Sequence, residues 1–182
     1  MPSFSLRYRV EGPFDGAASV RPATGGGAFA LRVRLRCARC SEDAAKVSAI
    51  DEAWRGEEAK TEIPGSKGKA TLVQKCGSCA AVFTLDVTSP ESAVEAFTAE
   101  MAGGEGAFLA QLECRGCEPC AFEAGGGWTV VGAGGTAFEG VDLDRDDFAE
   151  YDEVGEGTSV TVGAVKGAFA LEGSGGKKGS KR

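Results

Sequence analysis

The sequence has 182 residues, of which 42% are hydrophobic and 26% are charged, and its formal net charge at pH 7 is −7. With 28 glycines and 6 prolines, the composition favours many turns and few long helices, and the length suits one domain or two small half-domains. There is no histidine, which excludes every Ser-His or Cys-His catalytic pair and requires any metal site to use cysteine or carboxylate ligands.

The N-terminal residues alternate charged and apolar side chains, so they lack the apolar core of a signal peptide. No later run reaches the roughly 18 apolar residues of a membrane span. We therefore expect a protein that does not contact membranes and is located in the cytoplasm, with access to the nucleus. Thiols are kept reduced there, so the seven cysteines indicate metal or redox chemistry rather than disulfides.

Charge is distributed unevenly along the chain. The first 40 residues carry seven arginines against Glu11 and Asp15, a local excess of +5, whereas residues 41–172 sum to −16 and the last ten residues to +4. The pattern predicts one basic surface on an acidic body, although such blocks are more often plain solvated faces.

Alternating polar and apolar residues predict two half-buried β-strands near the N-terminus, over residues 4–10 and 31–37. The second strand places three side chains in one solvent-facing row, which we name the arginine row: Arg32, Arg34 and Arg36. Pairing of the two strands would place Arg7 and Arg9 beside this row.

The rest of the chain also favours strands over helices. Residues 41–69 indicate a polar excursion or short hairpin, a turn at Ser89-Pro90 closes the first half, and one helical turn is possible between Asp144 and Tyr151. Further strands are predicted over residues 70–75, 81–87, 128–131, 141–143, 159–165 and 168–171.

Two segments, residues 35–40 and 112–117, resemble each other, and their cysteine pairs lie 77 residues apart. This echo indicates a degenerate internal repeat. The residues 77 positions after Cys76 and Cys79 are glutamates. Only the first half can therefore complete a four-cysteine site by itself.

We therefore predict a mainly β protein with two similar β-barrel-like or sandwich halves. The first half, residues 1–88, carries a zinc-ribbon-type four-cysteine site, and the second half, residues 89–172, has no complete metal site. Residues 173–182 are predicted to be a disordered basic tail, for which a nuclear address and a solubilising role are both open.

The metal site is predicted from two Cys-x2-Cys motifs separated by 35 residues. Two thiolates three residues apart at a tight turn can point toward one ion, and two such turns complete a tetrahedron. The predicted ligands of one structural Zn²⁺ per chain are Cys37, Cys40, Cys76 and Cys79.

Four thiolates around Zn²⁺ leave a net charge of −2, which Arg36, Arg39 and Lys75 are placed to offset. Because such a site has no open position for water, it should fold the protein rather than catalyse. The redox alternative, in which each motif is a thiol-disulfide pair, is disfavoured because no helix pattern follows the motifs.

A third run, Cys114-x2-Cys117-x2-Cys120, could hold a soft ion such as Cu(I) or support redox chemistry. Its stronger interpretation is three small buried residues, because no further ligand completes a tetrahedron. A carboxylate-rich segment lacks the spacing of a calcium-binding loop and is interpreted as a solvated acidic face, consisting of Asp142, Asp144, Asp146, Asp147, Glu150, Asp152 and Glu153.

Five motifs along the chain have the order found in a known family: residues 37–40, 72–79, 113–116 with 118–119 and Phe122, 135–138 and 147–153. By these motifs the chain resembles the eukaryotic CXXC-motif-containing zinc-binding proteins. The resemblance spans about residues 4–165 and implies two similar β-barrel-like halves, with zinc on the same four cysteines. Cys117 and Cys120 depart from the apolar residues usual in the family, which favours buried apolar roles for both.

These observations lead to one main function and two alternatives. The chain is expected to be a non-enzymatic zinc protein that binds protein partners, with metal handling as one setting. A nucleic-acid-binding zinc ribbon is the alternative, since the arginine row could meet phosphates, but the acidic body disfavours it. A thiol-disulfide oxidoreductase is the third and least favoured possibility.

Overall fold

The computed structural model describes residues 1–23, 29–51, 53–54, 56–144, 146–154 and 157–173, so the predicted disorder of the tail from residue 174 onward lies outside the described residues. The described chain is mainly β, as predicted. Its strands are β1 (Ser3–Asp15), β2 (Ala17–Pro22), β3 (Leu31–Cys37), β4 (Ser48–Ile50), β5 (Thr61–Glu62), β6 (Lys69–Ala70), β7 (Leu72–Lys75), β8 (Val82–Val87), β9 (Ala107–Arg115), β10 (Cys117–Glu123), β11 (Trp128–Gly132), β12 (Ala137–Val141), β13 (Phe148–Asp152) and β14 (Thr158–Glu172). Short 3-10 helices span Gly56–Ala59, Glu91–Ala93 and Ala99–Met101.

The strands form one large antiparallel sheet and several small ones. The large sheet has the order β13-β14-β1-β9-β8-β7, two three-stranded sheets have the orders β10-β3-β4 and β12-β11-β2, and β5 pairs with β6. Strands from both sides of residue 88 occur in each of the three larger sheets, so the division predicted there does not separate two sheets. No helix of the described chain is both long enough and apolar enough to cross a membrane.

Side-chain alternation explains how these sheets enclose one core. In β1 the residues Phe4, Leu6 and Tyr8 are buried, and in β3 the apolar positions from Leu31 to Cys37 are buried while the arginines between them are not. Successive residues of a strand point to opposite faces. The inner faces of the large sheet and the β10-β3-β4 sheet therefore share one apolar cluster.

An aromatic group lies at the centre of this core. Trp128 is fully buried, with its ring 5.0 Å from Tyr8 and 5.2 Å from Phe29 between centroids. The buried Tyr8 hydroxyl has partners nearby: it lies 2.9 Å from the carbonyl of Val20 and 2.6 Å from that of Glu95. Burial of the Tyr8 hydroxyl raises its pKa.

A close approach of two strands joins the large sheet to the β10-β3-β4 sheet. A Cβ at Gly167 of β14 would lie 2.5 Å from the ring of Phe122 in β10, so a side chain at residue 167 would force Phe122 to move. The absence of a side chain at Gly167 thus lets the two sheets pack together.

Most predicted strands are confirmed, with changed limits. Residues 4–10 belong to β1 and residues 31–37 are β3, while the two strands predicted over 159–165 and 168–171 are one strand, β14, whose register with β1 shifts between Glu11 and Phe14. The predicted excursion over residues 41–69 contains β4, a 3-10 helix and β5.

Two predictions near residue 145 are wrong. The strand predicted over residues 141–143 is replaced by β12, which ends at Val141, and Leu143 is buried in a loop whose backbone bonds to Gly125 and Val165. The possible helical turn between Asp144 and Tyr151 is replaced by β13, because these residues pair with the edge of β14.

The first strand and β3, whose pairing would have placed Arg7 and Arg9 beside the arginine row, do not pair. β1 lies between β14 and β9, whereas β3 lies between β10 and β4. Arg7 and Arg9 therefore belong to a different sheet from the arginine row. Side-chain alternation determines which face of a strand is buried, but it contains no information on which strands are neighbours.

Candidate metal centre

The two Cys-x2-Cys motifs form two turns of the same kind, which we name the knuckles (residues 37–42 and 76–81). Each knuckle begins at the end of a strand, β3 for Cys37 and β7 for Cys76, and these two strands belong to different sheets. The residue after the second cysteine has a left-handed backbone in both, with φ of 62° at Ser41 and 59° at Ala80. Neither residue is glycine, so the sequence contained no signal for these two positions.

The backbone hydrogen bonds of the knuckles also match. The N–H of Ser41 donates to the carbonyl of Cys37 at 2.8 Å, and that of Ala80 to Cys76 at 3.1 Å. In return, the N–H of Cys37 donates to the backbone carbonyl of Glu42 at 2.9 Å, and that of Cys76 donates to the backbone carbonyl of Ala81 at 2.8 Å. The left-handed residue closes each turn, so that both cysteines of the motif point to one side.

The four predicted ligands are brought together by these turns. All four sulfur atoms lie within 4.8 Å of one another; the Sγ atoms of Cys37 and Cys79 are 3.7 Å apart and those of Cys40 and Cys76 are 3.5 Å apart. A tetrahedron with metal–sulfur bonds of about 2.3 Å has edges of about 3.8 Å. The four thiols are free, not paired as disulfides, and their spacing fits one tetrahedral ion.

The electrostatics of the cluster divide the thiols into two kinds. Backbone N–H groups of Cys79 and Ser78 donate to the sulfur of Cys76 and lower its pKa to about 6, and those of Cys40 and Arg39 lower the pKa of Cys37. At Cys40, an N–H from Glu42 acts in the same direction, but burial and the three neighbouring thiols raise its pKa to about 12. Four close thiolates therefore require a cation.

Burial also differs between the positions of each motif. The first cysteines, Cys37 and Cys76, are buried, whereas Cys40 and Cys79 are half-buried. Of the cations expected to offset the site, Arg36 is engaged by Asp43, with Nε and Oδ1 2.7 Å apart. The centre is thus closed toward the core and reaches the surface on one side.

The third cysteine run takes no part in this cluster. Cys114 and Cys117 are fully buried, and Cys117 lies directly opposite Cys37 in the β10–β3 pair. The thiol of Cys117 lies 3.5 Å from the carbonyl of Thr84 and that of Cys120 lies 3.3 Å from the carbonyl of Arg34. Hydrogen bonding with Cys114 and burial raise the pKa of Cys117, which keeps its thiol protonated.

The acidic segment requires one correction. Asp152, interpreted from the sequence as part of a solvated face, is fully buried. Its carboxylate accepts hydrogen bonds from the N–H groups of Gly134 and Val154 and from the hydroxyl of Thr136, and the bond from Thr136 is the main cause that lowers its pKa. The carboxylate holds a turn together, which composition alone could not reveal.

Carboxylates lie beside two of the three residues of the arginine row. Arg36 pairs with Asp43, and the Nη2 of Arg34 lies 3.9 Å from Oε1 of Glu123. Arg32 lies opposite Glu123 in register. Two of the three guanidinium groups of this row therefore have a carboxylate as a neighbour.

Known proteins are similar to this chain in both sequence and fold. The profile of the family described as CXXC motif containing zinc binding protein, eukaryotic, matches residues 8–170. The mouse protein named "CXXC motif containing zinc binding protein" is 28% identical over 151 residues, which cover 81% of this chain and 87% of that protein. A Drosophila melanogaster protein named "UPF0587 protein CG4646" is 32% identical over 128 residues, 69% of this chain and 73% of that protein.

Two solved structures have the same architecture. The crystal structure of C1orf123 has a TM-score of 0.73 at 27% identity and covers 93% of this chain and 99% of that one. A hypothetical protein from Plasmodium falciparum has a TM-score of 0.70 at 16% identity, with 93% and 100% covered, and shows the shared fold alone. The family match over most of the sequence confirms the resemblance, and the chain belongs to the eukaryotic CXXC-motif-containing zinc-binding proteins.

Proposed function

We propose that Cys37, Cys40, Cys76 and Cys79 hold one structural Zn²⁺ per chain. The observation that carries this proposal is the cluster of four sulfurs with edges of 3.5 and 3.7 Å, close to those of a tetrahedral zinc–thiolate centre. A site with four protein ligands leaves no position for a water or a substrate, so its contribution is to folding.

The position of the knuckles explains what this ion would stabilise. One knuckle follows β3 in a three-stranded sheet, and the other connects β7 and β8 at the edge of the large sheet. One ion bound by both knuckles would fasten the two sheets together at this end of the core. The binding free energy of such an ion becomes folding free energy, because the unfolded chain has no preformed site.

We further infer that the chain is not an enzyme and acts by binding protein partners, with metal handling as one setting. The support is chemical: the sequence contains no histidine, and the thiols that could serve as nucleophiles are the same four that the ion would occupy. A cytoplasmic location, with the nucleus accessible, agrees with seven cysteines that are free among the described residues.

Two alternatives receive less support from the geometry. Nucleic-acid binding through the arginine row is weakened because Asp43 and Glu123 lie beside its arginines. Thiol-disulfide exchange within one motif is weakened because the sulfur contacts at 3.5 and 3.7 Å join one knuckle to the other.

Native mass spectrometry of the purified protein, with and without chelator and alongside thiol counting, tests the proposal. We expect one zinc per chain, lost together with folded structure when chelator is added. Metal-free protein with the cysteines of each motif joined as disulfides would overturn the structural site and favour the oxidoreductase. Turnover that depends on these thiols would contradict the non-enzymatic role.

A further inference from the structure

A cleft of about 500 Å³ lies on the large sheet, where β14, β1 and β9 are neighbours. It is on the face opposite the core, because its β1 residues alternate with the buried Phe4, Leu6 and Tyr8. Small side chains form part of its lining, with Ala170 opposite Ser5 in register. The volume is in the range typical of small-molecule sites.

Two arginines of β1 line this cleft with unused hydrogen-bonding capacity. The Nη1 of Arg7 donates to the carbonyl of Gly106 at 3.0 Å, but its carboxylate neighbours Glu95 and Glu105 lie at 3.8 and 3.9 Å, beyond hydrogen-bond distance. A guanidinium has five N–H donors, so most of the donors of Arg7 remain available to a ligand.

The second arginine faces another cation. Arg9 lies directly opposite Lys166 in the β1–β14 pair, and like charges in such positions destabilise a sheet. Glu11 contacts Arg9 at 3.3 Å, and the ammonium group of Lys166 lies 3.4 Å from the carbonyl of Asp144. An anion bound beside Arg9 would relieve this repulsion.

The lining also contains the hydroxyl of a largely buried serine. Ser5 is 7% exposed, and no hydrogen bond joins its side chain to another of the residues that the structure describes. Ser5 lies on the same face of β1 as Arg7 and Arg9. The three side chains thus present a hydroxyl and two guanidinium groups in a line along one strand.

We propose that this cleft binds a small organic anion. Its carboxylate or phosphate group lies between Arg7 and Arg9, because a guanidinium matches two oxygens of either group. Its apolar part lies on Ala168 and Phe108, which flank Arg7 on the neighbouring strands. Glu105 and Glu172 also line the cleft, so the favoured ligand carries its charge at one end.

Titration of the full-length, zinc-loaded protein followed by NMR tests this proposal, with phenyl phosphate as the probe and inorganic phosphate and benzyl alcohol as comparisons. We expect saturable shifts at the cleft with a Kd below about 1 mM for phenyl phosphate, and binding at least about tenfold weaker for each comparison. Absence of saturable binding would overturn the proposal, and equal affinity for inorganic phosphate would overturn the assignment of an organic anion.

Two substitutions sharpen the test. Arg9→Gln, at a side chain that is 57% exposed, should weaken phenyl phosphate binding about tenfold without affecting folding. Arg21→Gln, an equally conservative change in an exposed arginine outside the cleft, should leave binding unchanged. If both variants bind like the original chain, the cleft is not the site. Zinc content measured on the same samples separates this outcome from a failure of the metal centre.

Discussion

The knuckle at residues 37–42 and the echo at residues 112–117 have the same Cys-x2-Cys spacing but opposite structural roles. In the knuckle, Cys37 ends β3 and the left-handed residue, Ser41, comes after the second cysteine. In the echo, Cys114 is still inside β9, and the left-handed residue, Gly116 with φ of 73°, lies between the two cysteines.

The position of the left-handed residue decides where the sulfurs point. A turn closed after the second cysteine directs both thiols to a shared ion, as in the two knuckles. A turn closed before Cys117 starts β10 at that residue, so both thiols enter the core. Spacing alone is therefore an incomplete signal for a metal-binding motif, and the conformation that follows the motif completes it.

The largest effect is expected from removing one ligand of the cluster. Cys76→Ala should reduce zinc affinity by roughly a hundredfold or more and lower the unfolding temperature, because a three-thiol site binds weakly and the ion contributes to folding. Zinc content by mass spectrometry and thermal unfolding with and without chelator measure both quantities.

The matched control is Cys114→Ala in the echo. It removes one buried sulfur and should cost about 1–2 kcal/mol as a small core cavity, while zinc content stays at one per chain. Loss of zinc from this variant, or retention of tight zinc in Cys76→Ala, would show that the echo takes part in the metal centre.

A smaller effect is expected when the pH is lowered, which should weaken zinc binding at the knuckles without changing the echo. The pKa of Cys40 is raised to about 12 in the metal-free cluster, so zinc binding must displace its proton, and affinity falls as pH decreases. We expect about a tenfold loss of affinity per pH unit for each proton displaced, seen as zinc release to a colorimetric indicator between about pH 7 and 5. Because the thiol of Cys117 is already protonated, acid should leave the echo unchanged. An affinity independent of pH would contradict this account.

The sequence was sufficient for the composition of the metal centre but not for its geometry. The two motifs predicted four cysteines that the structure brings within 4.8 Å of one another, because thiolates at this spacing are a specific pattern. The sequence could not predict the left-handed Ser41 and Ala80, since a residue other than glycine occupies such a position only when the surrounding fold requires it.

The sequence predicted where several strands lie along the chain but not which strands are neighbours in the sheets. Alternation located β1 and β3 because their apolar residues line one buried face. It could not show that β1 lies between β14 and β9, and it missed β13, whose exposed residues Ala149, Glu150 and Tyr151 lie on an edge strand. Asp152 was misassigned for a related reason: only the partners of a carboxylate distinguish a buried turn from a solvated face.

The smallest effect tests the left-handed residues themselves. A non-glycine residue in this conformation costs roughly 1 kcal/mol, so Ala80→Gly should stabilise the zinc-loaded protein by up to about that amount, although the added freedom of the unfolded chain offsets part of it. Gly116→Ala in the echo should destabilise by about 1 kcal/mol for the same reason, and its Cβ would also lie 3.4 Å from Phe83. Denaturant unfolding at saturating zinc measures both changes. Opposite signs are expected because the first change removes backbone strain and the second introduces it, and equal signs would mean that the turns are not held in these conformations in solution.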